Sequence, residues 1–339
     1  MKKRLSLIIL ALVMVLSLTA CGGKPELVTR QIFAMDTVMD FAVYGGDTEG
    51  FLAAATDEIH RLEDLLSRTK EESDVSRVNG GGTVTVSPET ADLLRSALYY
   101  SDLTGGALDM TIAPLVTAWG IHTENPHVLT QSEIDTLLPL VGSGHVRIED
   151  QSVTLDLGCS VDLGGIAKGY ASGRLAALFV QYEITGGWVS LGGNVYTYGT
   201  KDGENPWLVS IRDPSEPAGA AVMLTLSDQF AVTSGGYQRY FTAEDGTVYQ
   251  HILDPATGAP ARSDLLSVTI IGTDGTMADA LSTALYVMGE TESCDFWRAH
   301  RDDFDMILIT GDDRILYTPR LEGTLTLEEG GRYEAQPVS

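Results

Sequence analysis

Apolar and polar positions alternate through Leu27–Ala34 and again through Val38–Tyr44. A period of two predicts two strands, joined as a hairpin around Met35-Asp36. The period then lengthens: Ile59, Leu62, Leu65 and Leu66 fall on one side of Thr48–Leu66, which predicts an amphipathic helix. Asn79-Gly80-Gly81-Gly82 reads as a turn. Ser87-Pro88-Glu89 places a capping hydroxyl before a proline suited to the first helical position, and opens a helix to about Leu103. A short helix follows over Ile112–Trp119. Another is capped by Thr130, with Ile134, Leu137 and Leu138 as its apolar positions.

Beyond this, Val146–Glu149 and Val153–Leu157 predict a hairpin, and Gly164–Val180 a helix with a glycine-rich start. Strands are expected at Ile184–Leu191, Val195–Tyr198, Leu208–Arg212, Val222–Leu226 and Phe230–Thr233. Leu265–Ile271 reads as a strand leading into a helix over Met277–Val287, and Met306–Ile309 with Ile315–Tyr317 as a late hairpin. Short turns join most neighbouring strands. That pattern predicts an α+β fold with largely antiparallel sheets and packed helices, not a doubly wound parallel one.

The first twenty residues stand apart. Lys2, Lys3 and Arg4 precede an apolar run, Leu5–Leu18, too short for a comfortable membrane span. The run ends in Leu18-Thr19-Ala20-Cys21-Gly22, the pattern of a bacterial lipoprotein signal. Residues 1–20 are therefore expected to be a signal peptide, 21–26 a lipid-anchored tether on Cys21, and 27–339 one domain. The expected location is extracytoplasmic and membrane-anchored. The net charge of -25 argues against non-specific binding to nucleic acid or anionic lipid, so membrane association would come from the lipid. Cys159 and Cys294 have no metal-site spacing, and a disulfide between them stays open beside two lone buried thiols.

Three segments carry candidate chemistry. His251 lies at a strand end before an Asp254-Pro255 turn, and a neutral imidazole there can take a proton from a hydroxyl. Asp279 and Thr283 stand four apart on a helical run, so they share a face and suit a hard divalent cation. Gly164, Gly165 and Lys168 open a helix, where backbone N–H groups and a positive charge favour an anion. Each has an ordinary structural reading too: a turn histidine, a packed threonine with a paired aspartate, and glycines needed for close helix–sheet packing. Spacing does not choose between them.

Taken in order, these segments resemble the ApbE family of FAD:protein FMN transferases. The likeness begins at Ala34-Met35-Asp36-Thr37 and runs through Ser73–Asn79, Gly105–Leu115 and Trp119-Gly120. It continues through Val161–Tyr170, Gly192-Gly193-Asn194 and Ser234-Gly235 to the His251–Gly258 and Ala278–Thr283 stretches. The resemblance implies that FAD is the substrate, with its pyrophosphate at Mg²⁺. The partner would be an extracytoplasmic flavoprotein whose Ser or Thr hydroxyl receives FMN, with release of AMP. It implies a FAD site lined by Met35, Ala107, Leu108, Asp109, Asp162, Lys168 and Leu253. It implies Mg²⁺ on the Gly165 carbonyl, Asp279 and Thr283, and His251 as base. Three positions depart from the family pattern, all facing the flavin: Asp36 for a glycine, Thr69 for an aromatic, and Leu108 for a phenylalanine. Ser282 stands where some relatives carry another acid. The same site with water as acceptor would be a FAD pyrophosphatase giving FMN and AMP, and a lipoprotein that only captured flavin would need no chemistry. A solute-binding lipoprotein would need two similar parallel-sheet lobes, which the strand pattern does not show.

Overall fold

The structure, a computed structural model, describes residues 26–121, 123–216, 218–327 and 331–339. The expected signal peptide, Cys21 and most of the tether lie outside these. The strands in chain order are β1 Val28–Ala34, β2 Thr37–Tyr44, β3 Thr83–Thr85, β4 Val146–Glu149, β5 Ser152–Leu155 and β6 Gly186–Leu191. There follow β7 Asn194–Gly199, β8 Trp207–Arg212, β9 Ala220–Leu226, β10 Gln229–Ser234, β11 Tyr240–Thr242 and β12 Val248–Gln250. The last are β13 Leu265–Gly272, β14 Asp305–Thr310, β15 Arg314–Tyr317, β16 Leu325–Leu327 and β17 Glu334–Pro337. The helices are α1 Thr48–Leu66, α2 Asp74–Asn79, α3 Pro88–Leu103, α4 Ala113–Trp119, α5 Gln131–Leu137, α6 Ala167–Gln181 and α7 Gly275–Ala299.

A nine-stranded sheet runs in the order β1-β2-β6-β7-β10-β13-β14-β15-β17. Its pairs are antiparallel except β15 with β17 at one edge. The expected α+β, largely antiparallel fold is therefore found. Both faces of the sheet are covered. Val268, Ile270, Met306 and Leu308 point into the larger core, which holds the apolar sides of α1, α6 and α7. Ile271, Ile307 and Ile309 point the other way, onto Val209, Ile211, Val222 and Leu224 of the three-stranded sheet β16-β9-β8. Double coverage is why β13 reads as a nearly continuous apolar run instead of an alternating one. Each such side chain fully buried contributes about 1.5–3 kcal/mol.

The differences from the expected elements have local causes. Helix α6 begins at Ala167, not Gly164, because the Gly164 N–H is turned onto the Asp162 carboxylate at 2.7 Å. Gly164 and Gly165 therefore stay in an open turn. Helix α7 runs past Val287 to Ala299, interrupted at Gly289, whose φ of 80° lets the Asp264 carboxylate approach closely. Cys159 and Cys294 are buried free thiols, with no disulfide between them.

A third apolar cluster bears directly on the candidate base. Leu115 and Trp119 of α4, Ile134 of α5 and Leu253 pack together, with Phe241 and Tyr249 of the β11–β12 hairpin against them. The Trp119 indole N–H donates to the Gly258 carbonyl at 2.9 Å. Gly258 has φ 72°, and a Cβ there would meet Ile134 at 3.0 Å and Leu115 at 3.2 Å, so the turn after Asp254 closes down on this cluster.

Candidate active site

One cleft of about 1130 Å³ is walled by the β1–β2 turn, the Ser67–Lys70 loop, residues 107–112, the 162–168 turn, the β6–β7 turn, the end of β10 and the His251–Leu253 segment. Met35, Ala107, Leu108, Asp109, Asp162, Gly165, Lys168, His251, Leu253, Asp279 and Thr283 all line it. Residues separated by up to 248 positions in the chain thus share one wall. Two of the carboxylates serve mainly to shape it. Asp109 accepts from the N–H and hydroxyl of Thr111 at 2.8 and 2.6 Å. Asp162 takes the Gly164 N–H and an ion pair from Arg68 at 2.8 Å. Arg68 is braced in turn by the Thr117 hydroxyl at 3.0 Å.

The candidate cation site lies where α6 crosses α7. The crossing is close because both helices offer glycine: a Cβ on Gly169 would sit 2.1 Å from the Gly275 carbonyl oxygen and 2.4 Å from the Asp279 Cβ. Asp279 is only 4% exposed, and its carboxylate accepts the Gly169 N–H at 2.7 Å. Burial pushes the carboxyl up, and the nearby Lys168 charge with the Gly169 and Lys168 N–H groups only partly offsets this. One turn on, the Thr283 hydroxyl lies 3.6 Å from where a Cβ on Gly165 would stand. The Ser234 hydroxyl bonds both Ser282 at 2.8 Å and Thr283 at 3.2 Å. Ser282 also donates to the Asp279 carbonyl at 2.9 Å, so it braces the helix face. Among the described residues no three His, Cys, Asp or Glu side chains gather to hold a metal. One carboxylate, one hydroxyl and a carbonyl are hard oxygen donors, and with a single carboxylate they fit a cation that keeps waters and shares a phosphate ligand.

His251 follows β12 directly. Its backbone N–H and its Nδ1 both meet the Arg239 carbonyl oxygen at 3.1 Å. A carbonyl can only accept, so Nδ1 carries the proton and Nε2 is the acceptor nitrogen. Asp254 closes the turn beyond, taking the Ala256 N–H at 2.8 Å and the Thr257 hydroxyl at 2.9 Å.

Sequence reasoning missed three cleft residues. Arg68 and Arg239 stand on loops with no periodicity to mark them. Asn194 enters the sequence reading only within the Gly192-Gly193-Asn194 motif, with no role of its own, yet it is buried in the cleft wall with neither amide atom hydrogen-bonded among the described residues. An unpaired buried amide costs about 1–3 kcal/mol, a signal that only the folded surroundings expose.

A match to the ApbE family covers residues 35–308. The chain is 35% identical over 270 residues to a FAD:protein FMN transferase of Klebsiella pneumoniae (strain 342), covering 77% of this chain and 83% of that protein. It is 30% identical over 322 residues to a FAD:protein FMN transferase of Treponema pallidum (strain Nichols), covering 87% and 88%. Its fold is similar to the crystal structure of the ApbE protein from Thermotoga maritima, with a TM-score of 0.83 at 31% identity over 88% of this chain and 99% of that one. The flavin transferase ApbE from Vibrio cholerae follows at 0.79 and 26% identity, again over 88% and 99%. With its fold, the order of its motifs and this coverage in agreement, the chain belongs to the ApbE family.

Proposed function

We propose that this chain transfers FMN from FAD to a Ser or Thr hydroxyl of a flavoprotein acceptor, with Mg²⁺ as cofactor and AMP as the second product. The observation that carries this reading is that His251 lines one cleft together with Asp279, Thr283 and Gly165. The activity of its relatives, FAD:protein FMN transferases, supports it. In the reaction, the acceptor oxygen bonds to the FMN phosphorus and the bond from that phosphorus to the bridging oxygen breaks. The hydroxyl proton passes to His251 Nε2, and the bridging oxygen leaves on AMP. Lys168 adds positive charge on the phosphate side. Magnesium held by Asp279, Thr283 and the Gly165 carbonyl would neutralise charge developing on the pyrophosphate.

The acceptor-labelling experiment tests this. Protein with FAD, Mg²⁺ and a purified flavoprotein acceptor should yield a covalently fluorescent acceptor and free AMP. AMP without labelled acceptor would identify a FAD pyrophosphatase, and FAD binding with neither product would exclude both enzymes. His251→Ala should still bind FAD while transfer falls about a hundred- to ten-thousandfold, the usual contribution of a positioned base. Unchanged transfer in that variant would remove His251 from the role.

We also propose that the chain acts outside the cytoplasm, anchored by lipid on Cys21. The Leu18-Thr19-Ala20-Cys21 pattern supports this. Cys21→Ala should abolish incorporation of a labelled fatty acid in bacterial cells, and retained labelling would count against it.

A further inference from the structure

The β1–β2 turn and the β11–β12 hairpin are far apart in sequence and meet at the cleft. Arg239 joins them. Its guanidinium donates to the Asp36 carboxylate through Nη1 and to the Asp36 carbonyl through Nη2. Its own carbonyl oxygen is the group that receives the backbone N–H and Nδ1 of His251. Arg239 is thus tied at its side chain to one rim and at its backbone to the candidate base.

The anchoring rim is itself constrained. Met35 and Asp36 form a two-residue turn between Ala34 and Thr37, both with left-handed backbone, φ 47° and 59°. Such a turn favours glycine, and here neither residue is one. The Met35 N–H donates to Glu63 of α1 at 2.6 Å, and Lys70 pairs with the same carboxylate at 2.7 Å. Helix α1 is rooted in the core by Ile59 and Leu62. A continuous line of contacts therefore runs from the core through Glu63, Met35, Asp36 and Arg239 to His251. A glycine at position 36 would supply the turn but not the carboxylate.

We propose that Asp36 and Arg239 are positioning residues for His251: their ion pair fixes the β11–β12 hairpin against the cleft and so keeps Nδ1–H on the Arg239 carbonyl with Nε2 as the proton acceptor. The proposal rests on the transferase reading above and adds to it a residue pair that joins the two rims of the cleft. An exposed ion pair adds little to global stability, so its loss acts through placement of the imidazole, not through unfolding.

The test uses the full chain with Asp36→Gly, Asp36→Asn and Arg239→Lys. In Asp36→Gly, kcat for acceptor labelling should fall roughly tenfold, below the hundredfold that a full ångström of misplacement costs. The resemblance puts Asp36 on the flavin side, but its carboxylate is engaged by Arg239, so KM for FAD should move less than about threefold. Asp36→Asn keeps an accepting oxygen, and Arg239→Lys keeps the charge without the fork, so both should be intermediate. Nitrogen NMR of the His251 ring should show a protonated Nδ1 in the wild type and a mixture of tautomers in Asp36→Gly. A kcat within about twofold of wild type in all three variants, or a loss confined to KM, overturns the proposal. The tautomer measurement needs no turnover: an inactive wild type would refute the transferase reading, whereas an unchanged tautomer in Asp36→Gly would refute the positioning role.

Discussion

A lone carboxylate says little until its surroundings are known. Asp279 was legible as an oxygen donor because its spacing from Thr283 places both on one helix face. What the spacing left open was whether a basic side chain neutralises it. In the folded chain it is buried against the Gly169 N–H, with Ser234 and Ser282 bracing the helix beside it. A divalent cation should therefore stabilise the fold through this residue. A ligand a hundredfold above its Kd adds about 2.7 kcal/mol, so saturating Mg²⁺ should raise the melting midpoint of the wild type by several degrees. Asp279→Ala should lose that rise. An equal rise in both proteins would place the cation elsewhere. The resemblance places Asp162 in the FAD site; in the folded chain it lines the cleft with its carboxylate engaged by Arg68 and the Gly164 N–H. That pairing spans 94 positions, and no local pattern reports it.

Among the elements, those held by neighbours a few residues away were the most legible. Ser87 caps α3 and Thr130 caps α5 as read, the latter completing a reciprocal box with Glu133. The Thr130 backbone N–H, then its hydroxyl, then His127 hold the Glu133 carboxyl down to about 2. A depressed carboxyl contributes stability above its unfolded value, about 4.3, and loses it as pH falls toward 2. Glu133→Gln should thus lower the melting midpoint at pH 6, and the difference from wild type should vanish near pH 2. A pH-independent difference would mean that the box acts only as a neutral hydrogen bond. The strands that went unread, β3, β11, β16 and β17, have three or four residues each, and the unread helix α2 has six. So short a run shows no period. Strands β3 and β16 exist because a distant partner supplies their hydrogen bonds, β16 pairing with β9 about a hundred positions earlier.

Over the whole molecule, charge matters more than any single ion pair. The formal charge of -25 surrounds a cleft proposed to receive another protein. Long-range repulsion or attraction of this kind acts on encounter rates and is screened by salt. Labelling of an acidic acceptor should therefore speed up as ionic strength rises, and labelling of a basic one should slow down, both read in kcat/KM for the acceptor. Opposite trends would point to a local basic docking surface that overrides the net charge. The fold also places the two rims of the cleft on different supports. One rim is a turn of the central sheet tied to α1, and the other is a small hairpin resting on α4 and α5.

Local order was readable from the chain alone: strand and helix periods, caps, tight turns, the antiparallel character of the sheets, and residue types suited to proton and cation chemistry. These depend on neighbours within about four positions, where backbone geometry leaves few choices. The folded molecule alone decided which of those groups meet. It buried Asp279 against Gly169, set Thr283 beside Gly165, engaged Asp162 with Arg68, left the Asn194 side-chain amide without a hydrogen bond among the described residues, and linked Asp36 to Arg239 across 203 positions. Contacts of that range arise from the packing of a two-faced sheet between helices and a second sheet, and that packing is a property of the assembled core.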